Sequence, residues 1–342
     1  MDSLAPGHPV SEDPRGLTVC VVIVNYNGVA YLERCVASVY GQSVPAEIVV
    51  VDNGSTDGSV RAIQRRFPSV RVIMNDYNVG FARGANQGAE CARGDLILFL
   101  NSDARLEPGS LSVLVRYLAD HSLVGACQPS LIQPNGELDS AGSFLTRSGF
   151  LYHVSQEDVV KERFPPARFA LKGACLLIRA PIFRAVGGFD ESYFAYLEDT
   201  DLCWRLLRAG WELHFVSAAS VQHDGGRTTR AIFRSEQIDY LAFRNRITTI
   251  RKNTIGLRRS GTVVVHAALC CGVATAFALI GKWRNAGAIA KALWWQLRNR
   301  VSVDVLTEES YSGGHGTALA PPVTRFTVGS AFGLLRSYLR RW

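Results

Sequence analysis

TVCVVIVNYNG at residues 18–28, EIVVVDNGSTDG at 47–58 and DLILFLNSD at 95–103 share one design. Each runs from an unbroken aliphatic, largely β-branched segment into a cluster of Asn, Asp and Gly. A continuous apolar run of this length is the pattern of a strand buried on both faces, whereas a half-wet strand would alternate. Between and after these runs the period changes. Leu32, Val36 and Val39 predict a helix over Tyr31–Tyr40, followed by the strand Glu47–Val51. A short helix at Val60–Phe67, a strand at Val70–Met74, a helix at Phe81–Cys91, a helix at Leu111–Leu118 and a strand at Val124–Gln128 follow. Strands alternating with helices at this rhythm make βαβ units, with right-handed crossovers and helices on both faces of a mostly parallel sheet.

In an open parallel sheet, ligands bind beyond the carboxyl ends of the strands. That rule selects Asn25-Tyr26-Asn27-Gly28, Asp52 to Gly58, Asn75 to Gly80 and Asn101-Ser102-Asp103. Any one of them is ordinary turn chemistry; four on one edge are a candidate site. A carboxylate at the Asp52 position suits a nucleobase or ribose. Asp103 suits a hard divalent cation, which prefers carboxylate, water and phosphate oxygens. The competing reading of Asp103 is a cap for a helix over Leu106–Leu118. No GxGxxG follows the first strand and no GxxxxGK[ST] occurs, which argues against the commonest dehydrogenases and NTPases.

Beyond Pro129 the pattern weakens, with a turn and hairpin signal at Pro134-Asn135-Gly136. It recovers with a strand at Gly173–Ile178, a short helix at Pro181–Val186, a helix at Leu197–Ala209 closed by Gly210, a strand at Glu212–Val216 and a long basic helix at Ile232–Asn253.

Taken together, VVIVNYNG, EIVVVDNGSTDGS, NVGFARGANQG, LILFLNSDA and GGFDESYFAYLEDTDLCWRLLRAGW resemble inverting glycosyltransferases of family 2, in the rhamnosyltransferase-like branch, over Thr18–Arg230. The resemblance implies the GT-A fold (nucleotide-diphospho-sugar transferase), an α/β architecture. It implies that Asn25, Tyr26, Asn27, Asp52 and Asn53 form the base and ribose pocket, and that Asn78, Gly80, Arg83 and Asn86 close over the nucleotide and diphosphate. Asn101 and Ser102 join the nucleotide-sugar set. Asp103 matches the second aspartate of an Asp-x-Asp metal motif whose first position is Asn101 here, and His223 matches a metal-proximal histidine; an ordinary loop histidine is the alternative. The implied cofactor is a divalent cation, Mg2+ or Mn2+. Asp199 matches the catalytic base, with Glu198 supporting it, and Gly173-Ala174 match the segment near sugar and acceptor. The competing reading of Glu198, Asp199 and Asp201 is first-turn helix electrostatics, with Asp201 and Arg205 as a surface pair. The implied partners are a nucleotide-sugar donor, dTDP-rhamnose ahead of UDP- or GDP-sugars, and a polyprenyl-linked or glycan acceptor in cell-surface polysaccharide synthesis.

Charge divides the chain. Residues 1–225 carry 19 Lys and Arg against 25 Asp and Glu, whereas residues 226–300 carry 14 against 2. Ser260–Gly281 holds no formal charge and is long enough to span a bilayer, but Ala, Gly, Thr, Cys and His266 dilute it. Basic residues on both flanks, Trp283, Trp294 and Trp295, and a terminal segment with Phe332, Leu335, Leu339 and Trp342 predict docking on the cytoplasmic face of a membrane, without crossing. A buried helical hairpin and, after it, a true transmembrane span are the alternatives. The expected organisation is a disordered leader at 1–16, a catalytic domain at 17–230 and a basic helical region at 231–342. The eight cysteines form no CxxC pair and read as reduced core thiols. Two rival functions remain at this point: a sugar nucleotidyltransferase, whose Gly-rich basic loop is missing from NYNGVAY, and a nucleic-acid-binding protein using the basic region, for which the uncharged stretch is a poor fit. At 47% hydrophobic and 20% charged, the 342 residues exclude wholesale disorder.

Overall fold

The computed structural model describes residues 16–146, 148–225, 233–254 and 256–301, and the pair Val323–Thr324. Residues 1–15 of the expected leader and the terminal segment with Phe332, Leu335, Leu339 and Trp342 lie outside the described residues.

The elements run β1 Val19–Asn25, α1 Leu32–Tyr40, β2 Ala46–Asp52, α2 Ser59–Arg66, β3 Arg71–Met74, α3 Phe81–Cys91, β4 Leu96–Asn101, β5 Ala104–Leu106, α4 Ser110–Asp120 and β6 Val124–Ile132. There follow β7 Leu138–Ser140, β8 Ser143–Thr146, β9 Leu151–His153, α5 Gln156–Val160, β10 Cys175–Arg179, α6 Ala180–Ala185, a 3-10 turn at Glu191–Tyr193, α7 Glu198–Arg208 and β11 Glu212–His223. Three helices follow, α8 Ser235–Asn253, α9 Gly256–Leu279 and α10 Trp283–Arg298, and the short strand β12 Val323–Thr324 pairs with β8.

The main sheet has the order β3-β2-β1-β4-β10-β6-β11-β5, with β7 beside β6. The parallel pairing expected from the βαβ rhythm holds across β3, β2, β1 and β4 and recurs between β6 and β11. β10, β5 and β7 run antiparallel to their neighbours, so the second half of the sheet is mixed. The turn at Pro134-Asn135-Gly136 does close a hairpin, between β6 and β7. Asp103 caps no helix: it precedes the short strand β5, and the helix starts at Ser110.

β1 shows why its sequence is apolar at every step. Val19, Val21 and Ile23 face α1 and α4, meeting Leu32, Val36, Leu111 and Leu114. Cys20 and Val22 face the other layer, with Ala82 and Ala85 of α3 and Leu202 and Leu206 of α7. Both layers are dry, so neither parity tolerates a polar residue. α3 lies so close to the sheet that a Cβ at Gly88 would stand 2.3 Å from a Val22 methyl carbon. Six of the eight cysteines are buried, Cys91 is partly so and Cys271 is exposed, and all are free thiols.

The C-terminal helices pack on the catalytic layers and on each other. α8 lies against α7, and α9 and α10 lie against α8. The basic helix α8 spends much of its charge internally. Arg244 donates to the Ser192 and Tyr193 carbonyls, Arg251 to Gln296, and Lys252 to Asp190 and Asp201. A boundary at 230/231 therefore separates segments that share a buried ionic interface. The stretch Ser260–Leu279, mean hydropathy 2.0, is long and apolar enough to cross a membrane, and only 22% of it is buried. Val264, Leu279, Ile280, Trp283, Trp294 and Leu297 are exposed on α9, α10 and the turn between them.

Candidate active site

The carboxyl edge of β1, β2 and β4 opens on a cavity of about 1260 Å³. Tyr26, Asn53, Asn78, Gly80, Asn101, Ser102, Asp103, Gly173, Ala174, Glu198, Asp199 and His223 line it, so most of the expected site residues do converge.

Four others do not reach it, and Asn27 is also absent from the wall. Asn25 and Asp52, expected in the base and ribose pocket, are fully buried. The Asn25 amide donates to Asp52 at 2.8 Å and to Ser59 at 3.0 Å, and Asp52 accepts from the Ser55 backbone at 2.8 Å. Asn27 accepts from the Thr56 backbone at 2.9 Å. These side chains fix the 53–58 loop from beneath. Arg83, expected over the diphosphate, projects into solvent 3.9 Å from Glu191. Asn86 is engaged with the backbone of Phe189 through both ends of its amide, at 2.8 and 2.9 Å. The helix spacing of α3 turns both toward the Glu191 segment and away from the cavity.

Gly80 is held at φ +88°, and a Cβ there would meet the Phe194 carbonyl oxygen at 2.6 Å. That carbonyl accepts from the Phe81 backbone N–H at 2.7 Å, which locks the start of α3 onto the segment leading into α7. The segment is strained. Phe194, Tyr196 and Leu197 have φ of 65°, 71° and 68°, and Phe194, at ψ −63°, forms a γ-turn closed by Ala195 N–H to the Tyr193 carbonyl at 2.8 Å. Such conformations cost about 1–3 kcal/mol each and persist only where surroundings over-determine them. Here the determinant is Asn245 of α8, fully buried, whose amide lies within 2.8–3.0 Å of the Tyr193, Ala195 and Tyr196 carbonyls. No sequence signal marked Asn245, because its partners are backbone atoms some fifty positions away. Asn245→Ala and Asn245→Asp, which both remove the amide donor, are expected to lower kcat about a hundredfold with donor affinity unchanged. Steady-state kinetics with separate donor titration checks this; a loss confined to KM would refute a role in aiming α7.

α7 begins where that segment ends. Helix spacing alone groups Glu198 with Asp201, but the structure divides them otherwise: Glu198 and Asp199 face the cavity and Asp201 faces α8. Asp199 accepts from the Gly173 N–H at 2.9 Å and from the Thr200 N–H at 2.6 Å. Burial raises its pKa above the ordinary aspartate value in spite of these bonds. Glu198 is pushed well above the ordinary range, by burial first and by the Asp199 charge second, and its Oε2 has no hydrogen-bond partner. Burial disfavours the charge on both, and Glu198, which also feels the Asp199 charge and has fewer bonds to an ionised form, is pushed further than Asp199.

Asp201 and Arg205 are not a surface pair. They meet at 2.9 Å with side chains 0% and 5% exposed, because α8 covers them.

The antiparallel register between β5 and β11 sets Ala104 against His223. It brings His223 Nε2 to 3.5 Å from Asp103 Oδ1 and to 3.5 Å from the Asn101 amide. The other ring nitrogen, Nδ1, is held by Asp139 of β7 at 2.8 Å, and Asp139 also accepts from Lys172 at 2.6 Å. Burial disfavours the charged imidazole, but bonding to Asp103 and Asp139 outweighs it and raises the His223 pKa. Asp139 is lowered to about 2, burial being overcome by His223 and Lys172. Sequence reasoning missed Asp139, which lies in a short strand with no motif around it.

A carboxylate beside an imidazole nitrogen, with the far nitrogen anchored by a second carboxylate, is the arrangement that orients a histidine for a cation. Among the described residues no group of three or more His, Cys, Asp and Glu side chains forms a metal-ligand cluster. Asp103 and His223, with Asn101 beside them, are a small donor set that suits a divalent cation whose other positions are taken by phosphate oxygens and water.

The profile of Glycosyl transferase family 2 matches residues 20–182. The chain is 31% identical over 237 residues, 61% of its length and 76% of the relative's, to the N-acetylglucosaminyl-diphospho-decaprenol L-rhamnosyltransferase of Mycobacterium tuberculosis. The chain belongs to glycosyltransferase family 2. It falls in the rhamnosyltransferase-like branch, being also 24% identical to the rhamnosyltransferase WbbL of Escherichia coli, over 63% of this chain and 86% of that one. Its GT-A fold is shared with the mannosyltransferase PcManGT from Pyrobaculum calidifontis, solved with GDP-Man and Mn2+, at a TM-score of 0.53 and 17% identity, covering 86% of this chain and 91% of that one. As a family 2 enzyme it is an inverting glycosyltransferase, and the nucleotidyltransferase and nucleic-acid-binding readings fall.

Proposed function

We propose that this glycosyltransferase moves one sugar, rhamnose ahead of other sugars, from a nucleotide-diphosphate donor to a lipid-linked acceptor in cell-surface polysaccharide synthesis. The observation that carries the reading is the Glu198–Asp199 pair, set beside Gly173 in the cavity that also holds Asp103 and His223. The relatives' names support rhamnose and a diphospho-decaprenol acceptor; dTDP-rhamnose is the first donor to test, with UDP- and GDP-sugars after it.

The acceptor hydroxyl is a weak nucleophile at neutral pH. Asp199 takes its proton as the oxygen attacks the anomeric carbon from the side opposite the leaving diphosphate. One displacement inverts the configuration and needs no covalent intermediate. Glu198, protonated, offers a hydrogen-bond donor to a sugar oxygen. Tyr26, Asn53 and Asn78 line the nucleotide end, and the Asn53 amide holds the Gly80 carbonyl at 3.1 Å, keeping that wall closed. Asp103 and His223, with Asn101 beside them, are the residues to hold Mg2+ or Mn2+. When bound, the cation supplies charge stabilisation to the departing diphosphate.

Asp103→Ala is expected to abolish the magnesium-dependent part of donor binding and to leave acceptor binding near the wild-type value. Titration calorimetry with donor plus magnesium and with donor plus chelator should differ for the wild type and converge for the variant. A variant that keeps the full metal dependence places the cation elsewhere. Transfer assays with dTDP-rhamnose and the UDP- and GDP-sugars test the reaction itself. The apolar exposure of α9 and α10, with Arg298 stacked 4.6 Å from the exposed Trp294, supports a place at a membrane surface, and we take that place to be peripheral and on the inner face.

A further inference from the structure

The cavity that holds Asp199 does not stop at the sheet edge. It continues between the β8–β9 hairpin and the helices α8 and α9, and there its wall changes character. Phe150, Phe243, Ile250, Leu269, Cys270 and Val273 line this arm, contributed by three separate parts of the chain. The hairpin and α9 are fastened to each other. His266 of α9, fully buried, stacks on Phe150 with ring centroids 4.1 Å apart and hydrogen-bonds the Ser148 carbonyl at 2.9 Å. Burial pushes the His266 pKa down to about 4, so this clamp adds no charge to the arm near neutral pH.

A cation stands where the polar part of the cavity meets the apolar arm. Arg246 of α8 lines the wall half-buried, its guanidinium 5.7 Å from the Phe150 ring and 5.9 Å from the Phe243 ring. Its neighbours Arg244, Arg251 and Lys252 all donate hydrogen bonds to protein groups. Lys172, also on the cavity wall, is committed to Asp139. Arg246 has no carboxylate or carbonyl partner among the described residues; its contacts there are the two rings. A half-buried guanidinium that faces a cavity can receive an anion without giving up a bond within the protein.

We propose that this arm is the subsite for the acceptor's lipid. Arg246 receives the phosphate groups, and the wall from Phe150 to Val273 receives the first isoprene units of the chain. One continuous cavity wall holds a carboxylate base, a guanidinium beside two aromatic rings and a hydrocarbon surface, the three chemistries that sugar, phosphate and isoprenoid would meet. α9 is apolar on its solvent side as well, with Val264 66% exposed, so the helix that walls the arm also presents a surface a bilayer would accept. The assignment rests on the glycosyl transfer proposed above and adds to it the residues that select a lipid acceptor.

The test uses the full chain in detergent micelles, with farnesyl diphosphate and farnesol as probes and dTDP plus magnesium as the control for folding and donor binding. Arg246→Gln is expected to weaken farnesyl diphosphate about tenfold and leave farnesol unchanged, the loss of one charge-assisted contact. Leu269→Trp, which fills the arm from a half-buried position, is expected to weaken both probes by about the same factor. Wild-type affinity for farnesyl diphosphate in both variants would overturn the subsite. So would an Arg246→Gln protein that loses dTDP as strongly as farnesyl diphosphate, since Arg246 would then serve the donor. A photoreactive farnesyl diphosphate on the wild-type protein needs no variant: labelling at 243–250 and 266–273 supports the arm, and labelling confined to 279–297 defeats it. Absence of transfer with every nucleotide sugar, alongside the expected binding losses, would sink the reaction and leave the subsite standing. Normal transfer with unchanged binding would sink the subsite alone.

Discussion

Asp199→Asn is expected to lower kcat by about two to four orders of magnitude while donor affinity stays near wild type and the protein stays folded. The amide keeps the shape of the carboxylate but has one acceptor oxygen, so it retains either the Gly173 bond, made to Oδ2, or the Thr200 bond, made to Oδ1, and not both. What the reaction loses is the capacity to take a proton. The pH profile is the second readout. Burial raises the Asp199 pKa, so activity should rise with pH through a limb that lies above the ordinary aspartate range. Below that limb the base is protonated and idle; above it the base is charged. The limb should vanish in the variant's residual activity. Turnover close to wild type in the purified variant would remove Asp199 from the base role and move attention to Glu198, whose Oε2 faces the same cavity without a partner.

Asp201→Ala is expected to produce the largest loss of stability among single changes near the site, about 3–5 kcal/mol, the usual cost of breaking a buried ion pair from one side. Asp201 is 0% exposed and is the shared acceptor for Arg205 at 2.9 Å, Lys252 at 3.2 Å and Asn253 at 2.9 Å. Its removal leaves Arg205 without that carboxylate in a dry interface, while Lys252 keeps Asp190 at 2.6 Å. Arg205 holds the Val186 and Gly188 carbonyls, so the disturbance spreads to the segment before the strained turn. For a chain of this size the cost corresponds to a fall in Tm of about 6–15 °C. Calorimetry on both proteins decides it. A Tm within about a degree of wild type would show the network to be dispensable.

The two predictions fall on neighbouring residues with unrelated jobs, and only part of that division was legible from the chain. LEDTDLCWRLLR announces a helix with acids in its first turn, and the resemblance singled out Asp199. Local spacing then put Glu198 with Asp201. What separates them is the packing of α8, whose Lys252 and Asn253 draw Asp201 away from the cavity, and the left-handed turn at Phe194–Leu197, which aims the first residues of α7 inward.

The strands show the opposite case. Two-sided burial forces β1, β2 and β4 to be apolar at every position, so the sequence alone determined their existence, their parallel pairing and the edge at which Tyr26, Asn53, Asn101 and Asp103 emerge. It could not tell which polar residues on that edge turn outward. The Asn25 NH2 donates to Asp52 beneath the 53–58 loop, because a buried amide donor and a buried carboxylate need partners and the nearest lie across the β1–β2 pair. The resemblance placed Asp103 and His223 at one site, but nothing in the sequence added Asp139; the three are far apart along the chain and are brought together by the β5–β11 and β6–β7 registers. Periodicity is a local property of the backbone and is written in the sequence; register and helix docking are set by which surfaces pack together, and those were decided by the tertiary structure alone.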